Sequence, residues 1–216
     1  MNFKKAGLII FLILLADQLS KFYIKTHLGL GERFEVFDWF NIIFVENPGM
    51  AWGKKLSDFI TFIDEPQSKI ILITFRLFAI IGIFYWLYTS IKKHAPNILI
   101  LAISLIFAGA FGNIIDSLFY NYIFDSGTTY YPVADDWVGY QGVSKANFEG
   151  YAGFMQGCVV DMIQFPMIDT ILPEWVPFMG GKRFSFFDPV FNIADMAIST
   201  GVGILIVFNK RAFAKH

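Results

Sequence analysis

Charged residues are scarce in this sequence. Asp, Glu, Lys and Arg make up 16% of the 216 residues, whereas a soluble globular domain usually carries about 25%. Hydrophobic residues reach 56%, and the mean hydropathy is +0.54. The composition excludes an ordinary soluble domain and indicates a single integral membrane domain over residues 1–216. A net charge of −1 also argues against a nucleic-acid partner.

Cysteine and histidine are rare as well. The single cysteine, Cys158, excludes an internal disulfide and a thiolate metal cluster. The three histidines, His27, His94 and His216, lie far apart, which disfavours a histidine-rich metal site. We therefore expect no metal and no cofactor. Cys158 is interpreted as a small packing residue rather than a nucleophile, because no histidine lies near it in sequence.

Long apolar runs are present and define the fold class. Four of them contain roughly 20 residues each, which is enough for a helix to cross the ~30 Å hydrocarbon core. They lie at about 6–26, 69–91, 96–119 and 188–208. We predict an all-α membrane protein with four transmembrane helices. The segments at about 27–68 and 120–187 are predicted to be small β-rich or loop-like extracytoplasmic elaborations, because residues 34–45 are rich in aromatic and β-branched side chains.

Basic residues flank the apolar runs at one end of the predicted bundle. They are Lys4 and Lys5, then Lys92, Lys93 and His94, and finally Lys210, Arg211 and Lys215. The positive-inside rule places this end, with both termini, in the cytoplasm. Lys21 and Lys25, at the far end of the first run, argue weakly for the opposite orientation.

Several polar side chains fall inside the predicted helices, where an ionisable group is costly and marks a candidate functional site. They are Asp17, Arg76, Asn113, Asp116, Asn192 and Asp195. In the four-helix topology all of them lie in the outer half of the bilayer. Arg76 is expected to pair with one of the aspartates in a structural role. Depth alone would pair Asp116 with Asp195.

Packing offers an alternative explanation for some of these residues. Taken singly, Asn113 and Asn192 are equally typical of hydrogen bonds between membrane helices. Small residues are more often close-packing positions than chemical groups. The glycines interpreted in this way are Gly109, Gly112, Gly201 and Gly203.

Two carboxylates brought close together have a characteristic chemistry. They cannot both ionise easily, so one keeps a proton near neutral pH. The ionised partner can activate a water molecule, while the protonated one polarises a carbonyl and a leaving amine is protonated later. Peptide hydrolysis just below the outer membrane surface is therefore the hypothesis, and it requires no metal.

Five short blocks carry a resemblance to a known family. In chain order they read Asp17–Lys21 (DQLSK), Asn47–Gly53 (NPGMAWG), Gly109–Asp116 (GAFGNIID), Val159–Ile163 (VVDMI) and Phe191–Asp195 (FNIAD). Together with four apolar runs, these blocks make the chain similar to bacterial lipoprotein signal peptidase (signal peptidase II). That family consists of four-helix aspartic peptidases of the bacterial inner membrane.

The resemblance implies a catalytic dyad of Asp161 and Asp195, in place of the pair suggested by depth. Asp161 would then dip into the mouth of the bundle from the extracytoplasmic segment. Other residues would orient the dyad or hold the substrate. They are Asp17, Lys21, Asn47, Gly49, Asn113, Asp116 and Asn192.

The chain departs from the family pattern around Asp161. Ser117 stands where the family usually has arginine, and insertions at about 120–155 and 166–187 flank the VVD block. We expect Lys182 or Arg183, in the second insertion, to supply the missing positive charge. Trp52 replaces the family's usual phenylalanine, and the loop from Asn47 to Gly53 is expected to close over the substrate.

The implied substrate is a diacylglyceryl-modified prolipoprotein cut before its lipidated cysteine, and membrane lipid is the other expected partner. The active site would face the outer leaflet, and we expect a monomer. Two alternatives remain, a small proton-coupled membrane transporter and a non-enzymatic lipoprotein scaffold. A transporter site would usually lie near the membrane midplane between repeated halves, but the charges here cluster outward and no repeat is apparent.

Overall fold

The computed structural model describes residues 1–49, 63–166, 168–171, 173–175, 180–186 and 189–214. Its helices are α1 (Phe3–His27), α2 (Glu65–Lys92), α3 (Asn97–Ile115), α4 (Asn121–Ile123), α5 (Ile193–Val207) and α6 (Asn209–Ala212). A π-helical turn at Asp116–Tyr120 joins α3 to α4. Trp52, Lys215 and the closing loop after Gly49 lie outside the described residues.

Short strands make up the rest of the regular structure. They are β1 (Arg33–Phe37), β2 (Phe40–Asn47), β3 (Thr129–Tyr131), β4 (Asp136–Val138), β5 (Val159–Gln164), β6 (Ile168–Ile171), β7 (Arg183–Phe186) and β8 (Val190–Phe191). The strands predicted between residues 34 and 45 are present as β1 and β2.

Side chains cap free amide groups at the start of the first two helices. Asn2 accepts a hydrogen bond from the Lys5 amide at the start of α1. Asp64 accepts one from the Gln67 amide at the start of α2. The second helix therefore begins before the predicted residue 69, because its first turn is polar and held by a cap rather than by apolar burial.

Three of the helices are long and apolar enough to cross a membrane, namely α1, α2 and the continuous helix Asn97–Ile123. The fourth predicted span, 188–208, is shorter as a helix. Val190 and Phe191 belong to a strand, and α5 contains 15 residues, or about 22 Å of rise. The count of four spanning helices is therefore not established by helix length.

The third helix forms the centre of the bundle and packs against α1, α2 and α5. Glycines permit the closest approach. A Cβ at Gly109 would lie 2.2 Å from the Ala194 carbonyl oxygen, and one at Gly201 would lie 2.7 Å from the Ala102 carbonyl oxygen. The two contacts show that α5 runs antiparallel to α3 along most of its length. A Cβ added at Gly203 would meet no atom of a neighbouring element within 4 Å, so its interpretation as a close-packing glycine is wrong.

A four-stranded antiparallel sheet covers one end of the bundle, in the order β1-β2-β5-β8. Val45 of β2 pairs with Asp161 of β5, and Ile163 of β5 pairs with Phe191 of β8. The sheet therefore connects the VVD block to the chain that enters α5. Phe44 and Val160 are fully buried beneath it.

The first insertion is anchored to this sheet by a buried ion pair. The Lys25 ammonium pairs with Glu46 of β2 and donates to the Ser126 carbonyl oxygen at 2.8 Å. The same ammonium lies 5.0 Å from the ring centroid of Phe124. The Glu46 carboxylate therefore neutralises Lys25 inside the protein, so Lys25 is not evidence against the predicted orientation.

We expect Gly201→Ala to lower the free energy of unfolding by about 1–3 kcal/mol, as overpacking does in a close-packed core. The added methyl group would meet backbone atoms of α3, which cannot rotate away. Thermal unfolding of the purified protein in detergent measures the effect. Gly203→Ala in the same helix is the matched control and should be neutral or stabilising. Equal destabilisation by both substitutions would contradict the packing account.

Candidate active site

A cavity of about 290 Å³ opens where β2 and β5 meet α2, α3 and α5. Its polar lining is Asn47, Arg76, Asn113, Asp161 and Asp195, and its apolar lining includes Ile80, Ile83 and Ile198. The structure therefore brings both residues of the expected dyad to one cavity. The apolar side chains lie on the helices that face them.

Asp161 reaches this cavity from β5, whose pairing with β2 fixes its register. The side chain is buried, with 5% of its surface exposed. The side-chain amide of Asn192 donates to its Oδ1 at 2.7 Å. Asp161 thus reaches the bundle from the segment between α4 and α5, outside the apolar helices, as the resemblance implies.

Asp195 lies in the first turn of α5, whereas the predicted span 188–208 had placed it about two turns inside a helix. Asn192 is the N-cap residue, and its side chain accepts from the Asp195 amide at 2.9 Å. In return, the Asp195 carboxylate accepts from the Asn192 amide at 3.3 Å. This capping box was visible in the sequence as Asn followed by Asp three residues later.

Two asparagines hold the pair in place. Asn113 donates its side-chain amide to Asp195 Oδ1 at 2.8 Å. Asn192 donates to Asp161 and also to Asn113 Oδ1, at 3.2 Å. A continuous chain of hydrogen bonds therefore joins the two carboxylates, so these asparagines do more than connect helices.

The environment of Asp161 favours its protonated form. Burial, together with the neighbouring charge of Asp195, raises the pKa of Asp161 to about 7. Hydrogen bonding from Asn192, the positive charge of Lys21 and the side chain of Asn47 act in the opposite direction. This environment therefore moves the titration of Asp161 from the acid range toward neutral pH.

A buried ion cluster lies behind the cavity and includes three of the expected supporting residues. The Lys21 ammonium contacts Asp17 at 2.9 Å and Asp116 at 2.8 Å. It also donates to Asn113 Oδ1 at 2.9 Å. All three charged side chains are fully buried.

Each carboxylate of this cluster anchors the backbone next to one aspartate of the cavity. Asp17 accepts from the Ala194 amide at 2.9 Å, one residue before Asp195. Asp116 accepts from the Val160 amide at 3.3 Å, one residue before Asp161. The cluster therefore fixes the two chain segments that carry the dyad.

The ion pairs differ from those expected from depth. Among the described residues Arg76 forms no ion pair, and Lys21 is the partner of both Asp17 and Asp116. Arg76 is instead half-buried on the cavity wall, where the charge of Asp195 acts on it. Depth in the membrane predicted the ion pairs poorly because it ignored spacing along the helix. Asp17 and Lys21 are four residues apart and therefore lie on one helix face.

Asn47 and Gly49 lie at the rim of the cavity. The Gly49 amide donates to Asn47 Oδ1 at 2.9 Å, and Gly49 has a φ of +112°, a conformation that strongly favours glycine. Both expected supporting residues are thus present at the site. The loop that follows them lies outside the described residues.

The proposed replacement for the family arginine stays a prediction. Arg183 begins strand β7, and Lys182 is exposed in the preceding turn. Ser117 donates its hydroxyl to the Asn113 carbonyl oxygen at 3.0 Å within its own helix. The cation that contacts the adjacent Asp116 is Lys21.

Sequence reasoning missed Gln18, Lys69 and the function of Lys25. Gln18 donates to Asp116 Oδ1 at 2.9 Å and to the Gly112 carbonyl oxygen at 3.2 Å, so it supports the ion cluster. The signal for Lys25 was its position one turn after Lys21 on the same helix face.

Cys158 behaves as a packing residue. It is 1% exposed, and burial raises the pKa of its thiol to about 11, so the thiol stays neutral. Its Sγ atom lies 3.5 Å from the buried Lys69 ammonium. That ammonium also donates to the Gln156 carbonyl oxygen at 3.0 Å, which holds the segment before β5 against α2.

The fold is similar to that of solved bacterial membrane enzymes. Two solved structures of such enzymes match it, one with a TM-score of 0.58 at 24% identity over 99% of this chain and 93% of its own. The second has a TM-score of 0.56 at 26% identity and covers 96% of this chain and 93% of its own.

The sequence comparisons identify the family. Residues 9–210 match the family model for signal peptidase (SPase) II. A lipoprotein signal peptidase from Porphyromonas gingivalis is 40% identical over 212 residues, which cover 96% of this chain and 84% of the relative. One from Staphylococcus aureus is 36% identical over 202 residues, with 93% and 84% covered. The chain belongs to the signal peptidase II family and is therefore a peptidase.

We expect Lys21→Met to lower the free energy of unfolding by about 3–5 kcal/mol, because it leaves two buried carboxylates without their cation. Thermal unfolding in detergent measures the loss. The triple variant Lys21→Met, Asp17→Asn, Asp116→Asn should recover part of it, since amides tolerate burial better than unpaired charges. Lys182→Met, at an exposed position, is the matched control. A Lys21→Met protein as stable as the control would contradict the buried-cluster account.

Proposed function

We propose that this protein is an intramembrane aspartic endopeptidase of the bacterial inner membrane. It removes the signal peptide from diacylglyceryl-modified prolipoproteins and cuts before the lipidated cysteine. The observation that carries this proposal is the shared cavity of Asp161 and Asp195, with hydrogen-bonded asparagines between them. Relatives named lipoprotein signal peptidase support the choice of substrate.

In this proposal four helices cross the membrane as a single domain. The fourth is α5, although it has 15 residues. Its antiparallel contacts with α3 run from Gly109 beside Ala194 to Gly201 beside Ala102, and Ala212 of α6 packs in the core at the far end. The positive-inside rule then places both termini in the cytoplasm and the cavity toward the outer leaflet.

The two aspartates take different roles. Asp161 is the protonated partner, since burial and the charge of Asp195 raise its pKa to about 7. Asp195 is the base, and its carboxylate accepts hydrogen bonds from Asn113 and the Asn192 amide at the start of α5. A helix N-terminus is a favourable place for a negative charge.

Hydrolysis then follows from the proton positions. Asp195 takes a proton from water while the water oxygen bonds to the scissile carbonyl carbon, and Asp161 gives its proton to the carbonyl oxygen. When the tetrahedral intermediate collapses, the carbon–nitrogen bond breaks. The proton held by Asp195 passes to the leaving amine, and the hydroxyl proton returns to Asp161.

The remaining lining groups suit a lipid-attached peptide. The side chains of Ile80, Ile83 and Ile198 form an apolar wall of the cavity. The Arg76 guanidinium and the Asn47 amide provide donors for peptide carbonyl groups. The acyl chains of the substrate remain in the bilayer while the scissile bond reaches the dyad.

We expect Asp161→Asn and Asp195→Asn each to lower the turnover of a diacylglyceryl-modified lipobox peptide by at least about a thousandfold, because each removes one proton-transfer group. The measurement is cleavage before the modified cysteine by the purified full-length protein in liposomes. Binding of the peptide should be retained, since amide and carboxyl groups have nearly the same shape.

Two further variants make this test decisive. Asp38→Asn changes an exposed carboxylate on the extracytoplasmic side and should leave turnover unchanged. Asp116→Asn changes a buried carboxylate of the ion cluster and should retain measurable turnover. If Asp116→Asn were inactive while Asp161→Asn still cleaved, the dyad would be wrong. A folded wild-type protein that cleaved nothing would favour a transporter or a scaffold.

The pH profile tests the assignment of roles. If Asp161 must be protonated, kcat/KM falls as the pH rises through its pKa of about 7. The contact with Asn47 favours the ionised form of Asp161. Asn47→Ala therefore raises that pKa further and moves the alkaline limb to higher pH. Asp38→Asn should not move it. A limb that shifted to lower pH in Asn47→Ala would contradict the assignment.

A further inference from the structure

The end of the bundle opposite the cavity, the basic end, carries positive charge without a neighbouring acid. Its exposed basic residues are Lys4, Lys5, Lys92, Lys93, His94, Lys210 and Arg211. This end is formed by parts of the stretches 1–16, 66–115 and 196–214, and none of these stretches contains Asp or Glu. The helix termini meet here in a core that includes Ala6, Ile100 and Ala212. A partner of this surface would therefore carry negative charge.

A groove of about 660 Å³ lies between α1 and α3 at the basic end. Its rim is polar, formed by Asn2, Lys5, His94 and Asn97, all of them exposed. The Met1 amino group donates to the Asn97 side chain and connects the two helices at the rim. The rim therefore offers amide donors and cationic groups on both sides of one opening.

The wall below the rim is apolar. Ile9 lies one helical turn after Lys5, and Leu101 lies one turn after Asn97, so both are deeper in the bundle by about 6 Å. Ile98 completes this wall, and all three side chains are half-buried. The groove thus changes from polar and cationic to apolar within one turn of helix, in the direction of the membrane interior.

We propose that this groove binds one anionic phospholipid. Its phosphate group lies at the rim against Lys5 and His94, and an acyl chain follows the apolar wall along Ile9 and Leu101. Basic groups just outside spanning helices attract anionic headgroups, and basic pockets between such helices bind them specifically. Free phosphate would fill the rim but leave the apolar wall uncovered.

The test uses the purified full-length protein, stripped of lipid in detergent. It is mixed with phosphatidylglycerol or with phosphatidylcholine of the same acyl chains, and retained lipid is counted by native mass spectrometry. We expect one retained phosphatidylglycerol per chain and at least about tenfold less phosphatidylcholine. Millimolar inorganic phosphate should not displace the lipid.

Charge reversal at neighbouring positions separates the groove from the general field of the basic end. Lys5→Glu should reduce phosphatidylglycerol retention by about tenfold or more, because it replaces a direct charge-assisted contact with the phosphate by a like charge. Lys4→Glu makes the same change one residue earlier, outside the groove, and should alter retention by less than about threefold.

A steric variant tests the apolar wall without changing charge. Ile98→Trp fills the groove and should also abolish retention, while thermal unfolding stays near that of the wild type. Three results would overturn the proposal. They are equal loss in Lys4→Glu and Lys5→Glu, equal retention of phosphatidylcholine, and displacement of the lipid by inorganic phosphate. Lipid retention is measured without substrate, so its outcome is independent of the proposed peptidase mechanism.

Discussion

The arrangement of the site depends on one buried ion cluster, in which the Lys21 ammonium lies between the carboxylates of Asp17 and Asp116. Burying these charges costs several kcal/mol unless close contacts compensate. The same carboxylates accept from the backbone amides of Ala194 and Val160. The cluster therefore neutralises its own buried charges and also fixes the positions of α5 and β5 relative to α1 and α3.

The cavity carboxylates have the opposite character. Asp161 and Asp195 are held by asparagine amides and face an opening, rather than being paired with a lysine at ion-pair distance. Burial and mutual repulsion then favour a single shared proton. The buried aspartates at this level of the bundle thus divide into a cluster that Lys21 neutralises and a pair that lines the cavity.

Sequence alone predicted the apolar helices, the strands β1 and β2 and, by resemblance, most of the residues around the cavity. Hydropathy and residue spacing did not place Asp161 at the cavity, because β5 pairs with a strand that is distant in sequence, β2. Asn41 and Gln164, which lie opposite each other, are 123 positions apart. Hydropathy also overestimated the length of the last helix. Val190 and Phe191 are apolar but form a strand, and hydropathy alone does not distinguish an apolar strand from an apolar helix.

The central claim is that Asp161 holds the proton of the dyad, and infrared difference spectroscopy measures this directly. Spectra of the full-length protein in liposomes are recorded across a pH step through neutrality, and the protonated carboxyl band is compared among variants. The account predicts that this band disappears in Asp161→Asn and persists in Asp38→Asn. A band of undiminished intensity in Asp161→Asn would show that another carboxyl group carries the proton, and would contradict the account.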